Sequence, residues 1–124
     1  MSKRIDSKVK RFPGYVILSD PLTIPQTMAF EDAMSAAQDG ARERGDLITI
    51  DEKERVNTLS PHYLHDVLAG VIPCIEEWHI EGLQEIVTPD TFPGTPKIAS
   101  AQLISWLIGE ISGLYSEAEQ VPNA

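Results

Sequence analysis

At 124 residues with 42% hydrophobic content, the chain is the size of one small domain, and no run approaches the ~20 consecutive apolar residues that span a bilayer. Its charge of −9 is uneven: Lys3, Arg4, Lys8, Lys10 and Arg11 stand against Asp6 alone in residues 1–11, a charge of +4, which leaves −13 on the rest. An acidic body repels phosphate backbones and so argues against general nucleic-acid binding, while a lone Cys74 excludes an internal disulfide and fits a cytosolic setting.

In chain order, residues 1–11 are polar and charged with few apolar anchors, which predicts a flexible basic arm. The arm lacks the apolar centre of a signal peptide, so no export is expected. Tyr15–Leu18 is a short β-type run stopped by Ser19-Asp20-Pro21, and Leu47–Ile50 is another. The two could pair, or each could lie extended on helices. A first helix begins at Thr23, where Thr23 and Gln26 have the spacing of a capping box and Pro25 sits in the first turn. Its inward face is Ile24, Met28, Phe30, Ala33, Met34 and Ala37, and Gly40 is its expected stop. Residues 40–46 read as a turn or frayed end, and Asp51–Arg55 as a solvated segment.

Ser60 and Pro61 then provide a cap and a first helical residue. Leu64, Val67, Leu68, Val71, Ile72, Ile75 and Trp78 follow at helical spacing, which predicts a long helix to Gly82. Pro73 would kink it near residues 69–73 or divide it into 61–70 and 73–81. Residues 84–96 form a linker rich in Pro, Thr and Gly, with Phe92 as its anchor into the core. The last helix, about 97–118, carries Ile104, Leu107, Ile108, Ile111, Leu114, Tyr115 and Ala118 on one stripe, widened by Ile98, Leu103 and Trp106. Ser105, Gly109 and Gly113 make a small-residue ridge for close helix contact, within the chain or between copies. Residues 119–124 form a loose end. The fold expected is mainly α: a compact bundle of about three main helices over 12–118 with a short β or extended N-terminal element.

The chain shows no phosphate-binding glycine loop, dinucleotide fingerprint, nucleophile elbow or zinc-spaced cysteine set, so no catalytic residue and no cofactor are expected. His62 and His65, three apart with Asp66 alongside, have the spacing of a helical metal pair but lack further ligands, so no metal is expected. Glu76, Glu77, Glu81 and Glu85 read as a solvated face, His79 as a cation near a helix end, and Cys74 as a buried structural thiol.

Three segments carry a resemblance: GYVILSDPLTIPQTMAFEDAM from residue 14, PCIEEWHIEGL from residue 73, and TPDTFPGTPKIASAQLISWLIGEISGLY from residue 88. In this order the chain resembles the small tail assembly chaperones of long-tailed bacteriophages and prophages. The resemblance implies a mostly helical, non-enzymatic protein that coats the tape-measure protein in the bacterial cytoplasm before the tail tube forms. It also implies the shorter of two products where a frameshifted longer form is made. It assigns no binding residue. An aggregation-prone helical partner calls for an exposed apolar groove on a charged body. Leu103 and Trp106 are the residues expected to line it, with Phe92 and the surroundings of Trp78 as further candidates. A second expectation, motivated by the −13 body, is an acidic inhibitor that mimics DNA and blocks a basic host or rival protein. A third is a metal enzyme using His62 and His65.

Overall fold

The computed structural model describes residues 2–83 and 100–119. In order the elements are β1 (Ser2–Asp6), β2 (Gly14–Ser19), α1 (Ile24–Arg44), β3 (Leu47–Ile50), β4 (Lys53–Val56), α2 (Pro61–Val71), a 3-10 turn (Ile72–Cys74) and β5 (Ile75–Ile80). A π-helical turn (Ser100–Ile104) then leads into α3 (Ser105–Glu119). The fold is therefore mixed α/β, with three α-helices and five strands in two antiparallel sheets among the described residues. The expected mainly α bundle is overturned, and two segments account for most of the difference.

The first is the N-terminus. Residues 2–6, expected within a flexible basic arm, form β1 and pair antiparallel with β2, Ile5 opposite Val16. One buried side chain, Ile5, anchors the strand. Behind it Val9 and Phe12 are buried as well, and the Ser7 hydroxyl donates to the Phe12 carbonyl at 2.7 Å.

The second is the expected continuation of the central helix past Pro73. Pro73 has no N–H to donate and its ring clashes with the carbonyl four residues back, so the helix ends at Val71 and passes through the 3-10 turn. Ile75, Trp78 and Ile80 then enter a strand, not a helix. β5 pairs antiparallel with β2, giving the sheet order β1-β2-β5. The Tyr15–Leu18 and Leu47–Ile50 runs, expected either to pair or to lie extended on helices, form β2 and β3 without pairing with each other; β3 pairs in a separate hairpin with β4, which lies over much of the stretch read as a solvated segment. The hairpin turn, Asp51-Glu52, has both residues at positive φ, 51° and 65°. Two such central residues make the twist that suits a two-residue hairpin.

The helix caps agree with the sequence. Thr23 and Gln26 form the capping box, with the Thr23 N–H donating to Gln26 Oε1 at 2.8 Å and the Gln26 N–H to Thr23 Oγ1 at 3.3 Å. The Tyr63 N–H donates to the Ser60 hydroxyl at 3.3 Å. α1 runs through Gly40, however, and stops at Gly45 (φ 74°), whose N–H reaches the carbonyls of Ala41 and Arg42. Its buried face is Phe30, Ala33, Ala37 and Ala41, while Ile24 and Met28, expected inward, are 76% and 56% exposed.

α1 and α2 pack through small residues. A Cβ on Gly70 would lie 2.8 Å from the Ala33 Cβ, 2.8 Å from the Phe30 Cα and 2.9 Å from the Ala29 carbonyl oxygen. Two of these three atoms are backbone and cannot rotate away. One buried cluster joins the inner face of the three-stranded sheet (Ile5, Val16, Leu18, Ile80) to α3 (Leu107, Ile111, Leu114) with Phe30 and Val71. A second joins α1 (Ala37, Ala41) to Val56 and α2 (Tyr63, Leu64, Val67, Leu68). The linker expected over 84–96, including Phe92, the start of the last helix at 97–99, and residues 120–124 lie outside the described residues.

Gly70→Ala is predicted to lower unfolding free energy by about 2–3 kcal/mol, because the added methyl meets main chain. Urea unfolding followed by far-UV circular dichroism checks this; a change within about 0.5 kcal/mol contradicts the close approach.

Candidate functional site

The free end of the three-stranded sheet holds an open cleft of about 600 Å3, lined by Gly14, Tyr15, Trp78, His79, Ile80, Glu81 and Gly82. Gly14 makes it possible. Its φ is 132°, and a Cβ there would sit 2.1 Å from the His79 carbonyl oxygen, so only glycine lets β2 and β5 meet at this point. The register places Tyr15 directly opposite His79, and Val16 opposite Trp78. Alternation then sends Tyr15 and His79 to the solvent face of the sheet and Trp78 towards the core.

On the solvent face the side chains form a series across three strands. The Arg4 guanidinium carbon lies 3.9 Å from the Tyr15 ring centre. Tyr15 stacks on His79 with centroids 4.6 Å apart and planes 28° apart. His79 Nε2 is 3.1 Å from Glu77 Oε1. Trp78, half-buried, packs against both clusters and donates its Nε1 proton to the Leu83 carbonyl at 2.8 Å. The arrangement offers stacked aromatic surface with Arg4, itself paired with Asp6 at 3.0 Å, at one end and Glu77 at the other. It suits extended apolar or aromatic partner surface, and it brings no nucleophile beside a base.

A second cleft, about 520 Å3, lies between α1 and α3 and is lined by Phe30, Glu31, Asp32, Met34, Ser35 and Tyr115. The Tyr115 hydroxyl donates to Glu31 across it, and the Phe30 and Tyr115 rings are 5.7 Å apart.

Of the four expected contact residues, Leu103, Trp78 and Trp106 belong to or pack against one hydrophobic cluster. Leu103 is fully buried between the sheet and α3, so it belongs to the core and does not line an exposed groove. Trp106 is half-buried against the same cluster, and its buried Nε1 has no hydrogen-bond partner among the described residues. Trp78 borders the aromatic cleft. Phe92 is outside the described residues. The Gly109 and Gly113 ridge is exposed, and no described atom lies within 4 Å of a Cβ built on either glycine.

His62, His65 and Asp66 sit on α2, where Asp66 Oδ2 lies 3.6 Å from Arg44 Nη1 and His65 Nδ1 3.7 Å from Asp66 Oδ1. Among the described residues no group of three or more His, Cys, Asp or Glu side chains is placed to hold a metal ion. Nearby, a hydrogen bond from Arg44 (2.9 Å) holds the Asp46 carboxyl below the usual range, with the Ser60 hydroxyl assisting. The glutamates expected as one helical face are divided: Ser2 donates to Glu76, Glu77 meets His79, and Glu81 lines the cleft. What the sequence reading missed is the Arg4–Tyr15–His79–Glu77 series. Trp78 and Ile80, two apart, could have marked the end of this stretch as a strand, but the register that sets His79 opposite Tyr15 is not in that signal.

No family model, curated protein or solved structure matches this chain. Among the described residues, no helix is long and apolar enough to cross a membrane.

Cys74 is fully buried at the foot of α2, its Sγ 3.5 Å from the Gly70 carbonyl, and burial pushes the thiol up to about 11. Burial also raises the Tyr63 hydroxyl, partly opposed by its hydrogen bond from Gln38. Both groups fold in the neutral form, so their contribution is fully present below the unfolded-state values and declines as pH rises through the folded ones. Native Cys74 is predicted to alkylate with maleimide at least roughly a hundredfold more slowly than the urea-unfolded chain at pH 8, and stability is predicted to fall above about pH 9. Equal alkylation rates contradict the burial.

Proposed function

We propose that this chain is a non-enzymatic assembly chaperone of a long-tailed phage or prophage. It acts in the cytoplasm of the bacterial host, binds the tape-measure protein and keeps it soluble while the tail forms. The observation that carries this reading is the aromatic cleft of Tyr15, Trp78 and His79, open on a domain of net charge −9. An acidic body limits self-aggregation while an aromatic cleft takes hold of an apolar partner. The order of segments that resemble tail assembly chaperones supports the same reading, although the mixed fold departs from the mostly helical one that resemblance implies. An inhibitor that mimics DNA needs an unbroken carboxylate array. Here the exposed carboxylates of α1 share its surface with Ile24 and Met28, and those of β5, Glu76 and Glu77, are followed directly by Trp78 and His79, which favours the chaperone.

The test is co-expression with the tape-measure protein encoded beside this gene, read as soluble yield and co-purification at moderate and high salt. The expected result is a soluble complex that survives high salt. Tyr15→Ala together with His79→Ala is expected to weaken it by about tenfold or more while leaving the circular dichroism unchanged. Two proteins that are each soluble alone and do not associate overturn the reading.

A further inference from the structure

Among the described residues, five large apolar side chains are exposed: Ile24, Met28, Ile48, Ile50 and Leu59. Four of them fall into two patches of opposite charge. The first patch opens α1. Ile24 and Met28 are four residues apart, and Glu31, Asp32, Ser35 and Asp39 continue the same helical face, all exposed. The second patch is one face of the β3–β4 hairpin. Ile48 stands opposite Arg55 and Ile50 opposite Lys53, so alternation puts these four exposed side chains on one side. The two-residue turn at Asp51-Glu52 fixes that register. Apolar pairs of similar width are thus flanked by carboxylates in one patch and by cations in the other.

The patches cannot meet within one chain. Ile24 begins α1, and β3 starts three residues past its end at Arg44. A 21-residue helix spans about 30 Å. Neither patch matches itself: two hairpin faces would oppose Lys53 and Arg55, and two α1 faces would oppose Glu31 and Asp32. We infer that the hairpin face of one copy docks on the α1 face of the next, Ile48 and Ile50 against Ile24 and Met28, with Lys53 and Arg55 against the α1 carboxylates. The occupant of each patch is a second copy of this chain. Such a contact is heterologous, so it builds rings or open chains of molecules rather than a closed two-fold dimer. The patches are small, which makes the association weak and concentration-dependent. This inference does not rest on the proposed function.

The test is sedimentation velocity of the full chain over about two decades of concentration, with charge reversals in each patch. Lys53→Glu with Arg55→Glu, and separately Asp32→Lys with Asp39→Lys, are expected to raise the dissociation constant by at least about tenfold. An equimolar mixture of the two variants is expected to recover association, because each reversed patch then faces an unlike charge. All four positions are exposed, so unchanged circular dichroism is expected. If either reversal disturbs folding, Ile50→Thr, which keeps a β-branched side chain in the strand, replaces it and is expected to weaken association likewise. A wild-type chain that stays monomeric throughout overturns the inference, as do reversals that leave association unchanged or a mixture that does not recover it.

Discussion

The close approach of α2 to α1 at Gly70 governs the arrangement of the other elements. With no side chain at Gly70, the Ala33 methyl and the main chain of Ala29 and Phe30 come into direct contact with α2. Ala37 and Ala41 extend the small-residue face towards Tyr63, Leu64 and Val67. Three residues beyond Gly70, Pro73 ends helical pairing, and its carbonyl accepts a hydrogen bond from Gln26 Nε2 at 3.1 Å. The chain is thereby held against the start of α1 as it turns into β5. That turn supplies the edge strand that completes the sheet and places His79 beside Tyr15. The cleft follows from helix packing at one end of α2.

Much of the helical architecture was legible because its signals are local. Thr23 with Gln26, and Ser60 with Pro61, satisfy orphan N–H groups by side chains a few residues away, so their spacing is visible in the sequence. The stripe on the last helix was also legible, and Leu107, Ile111 and Leu114 are buried as it implies. Two strands were legible as β-type runs, Tyr15–Leu18 within β2 and Leu47–Ile50 as β3, but β1 and β5 were not, for the opposite reason. Ile5 is the one buried side chain of β1, and its strand forms because Val16 on β2 lies opposite. Nothing in residues 2–6 alone announces that pairing. β5 misleads in another way: Ile75 and Trp78 are three apart, which continues the helical stripe of α2, while a register shift at Ile17/Leu18 interrupts simple alternation.

The same distinction explains the candidate site. Leu103 and Trp106 looked like surplus apolar area when the last helix was expected to pack on helices alone. A sheet beneath it uses that area: Leu103 shares a cluster with Ile5, Val16 and Leu18. The residues that do gather at a cleft come from β2, β5 and the turn after β5, and their proximity depends on register. Ile24 and Met28 show the converse, since helical spacing put them on an inward face whereas the Phe30–Ala33–Ala37–Ala41 face is the one that α2 covers. The acidic composition has a corresponding place: exposed Glu31, Asp32 and Asp39 continue the Ile24–Met28 face, and exposed Glu81 lines the cleft.

The central functional claim is that the aromatic cleft at the end of the sheet receives the partner. The most direct measurement places a photoreactive amino acid at position 79, beside Tyr15, and at the exposed position 69 on α2 as a control, in cells that also make the tape-measure protein. The account predicts efficient crosslinking to the tape-measure protein from position 79 and little from position 69. Crosslinks from position 69 with none from position 79, in a complex that still co-purifies, would contradict it.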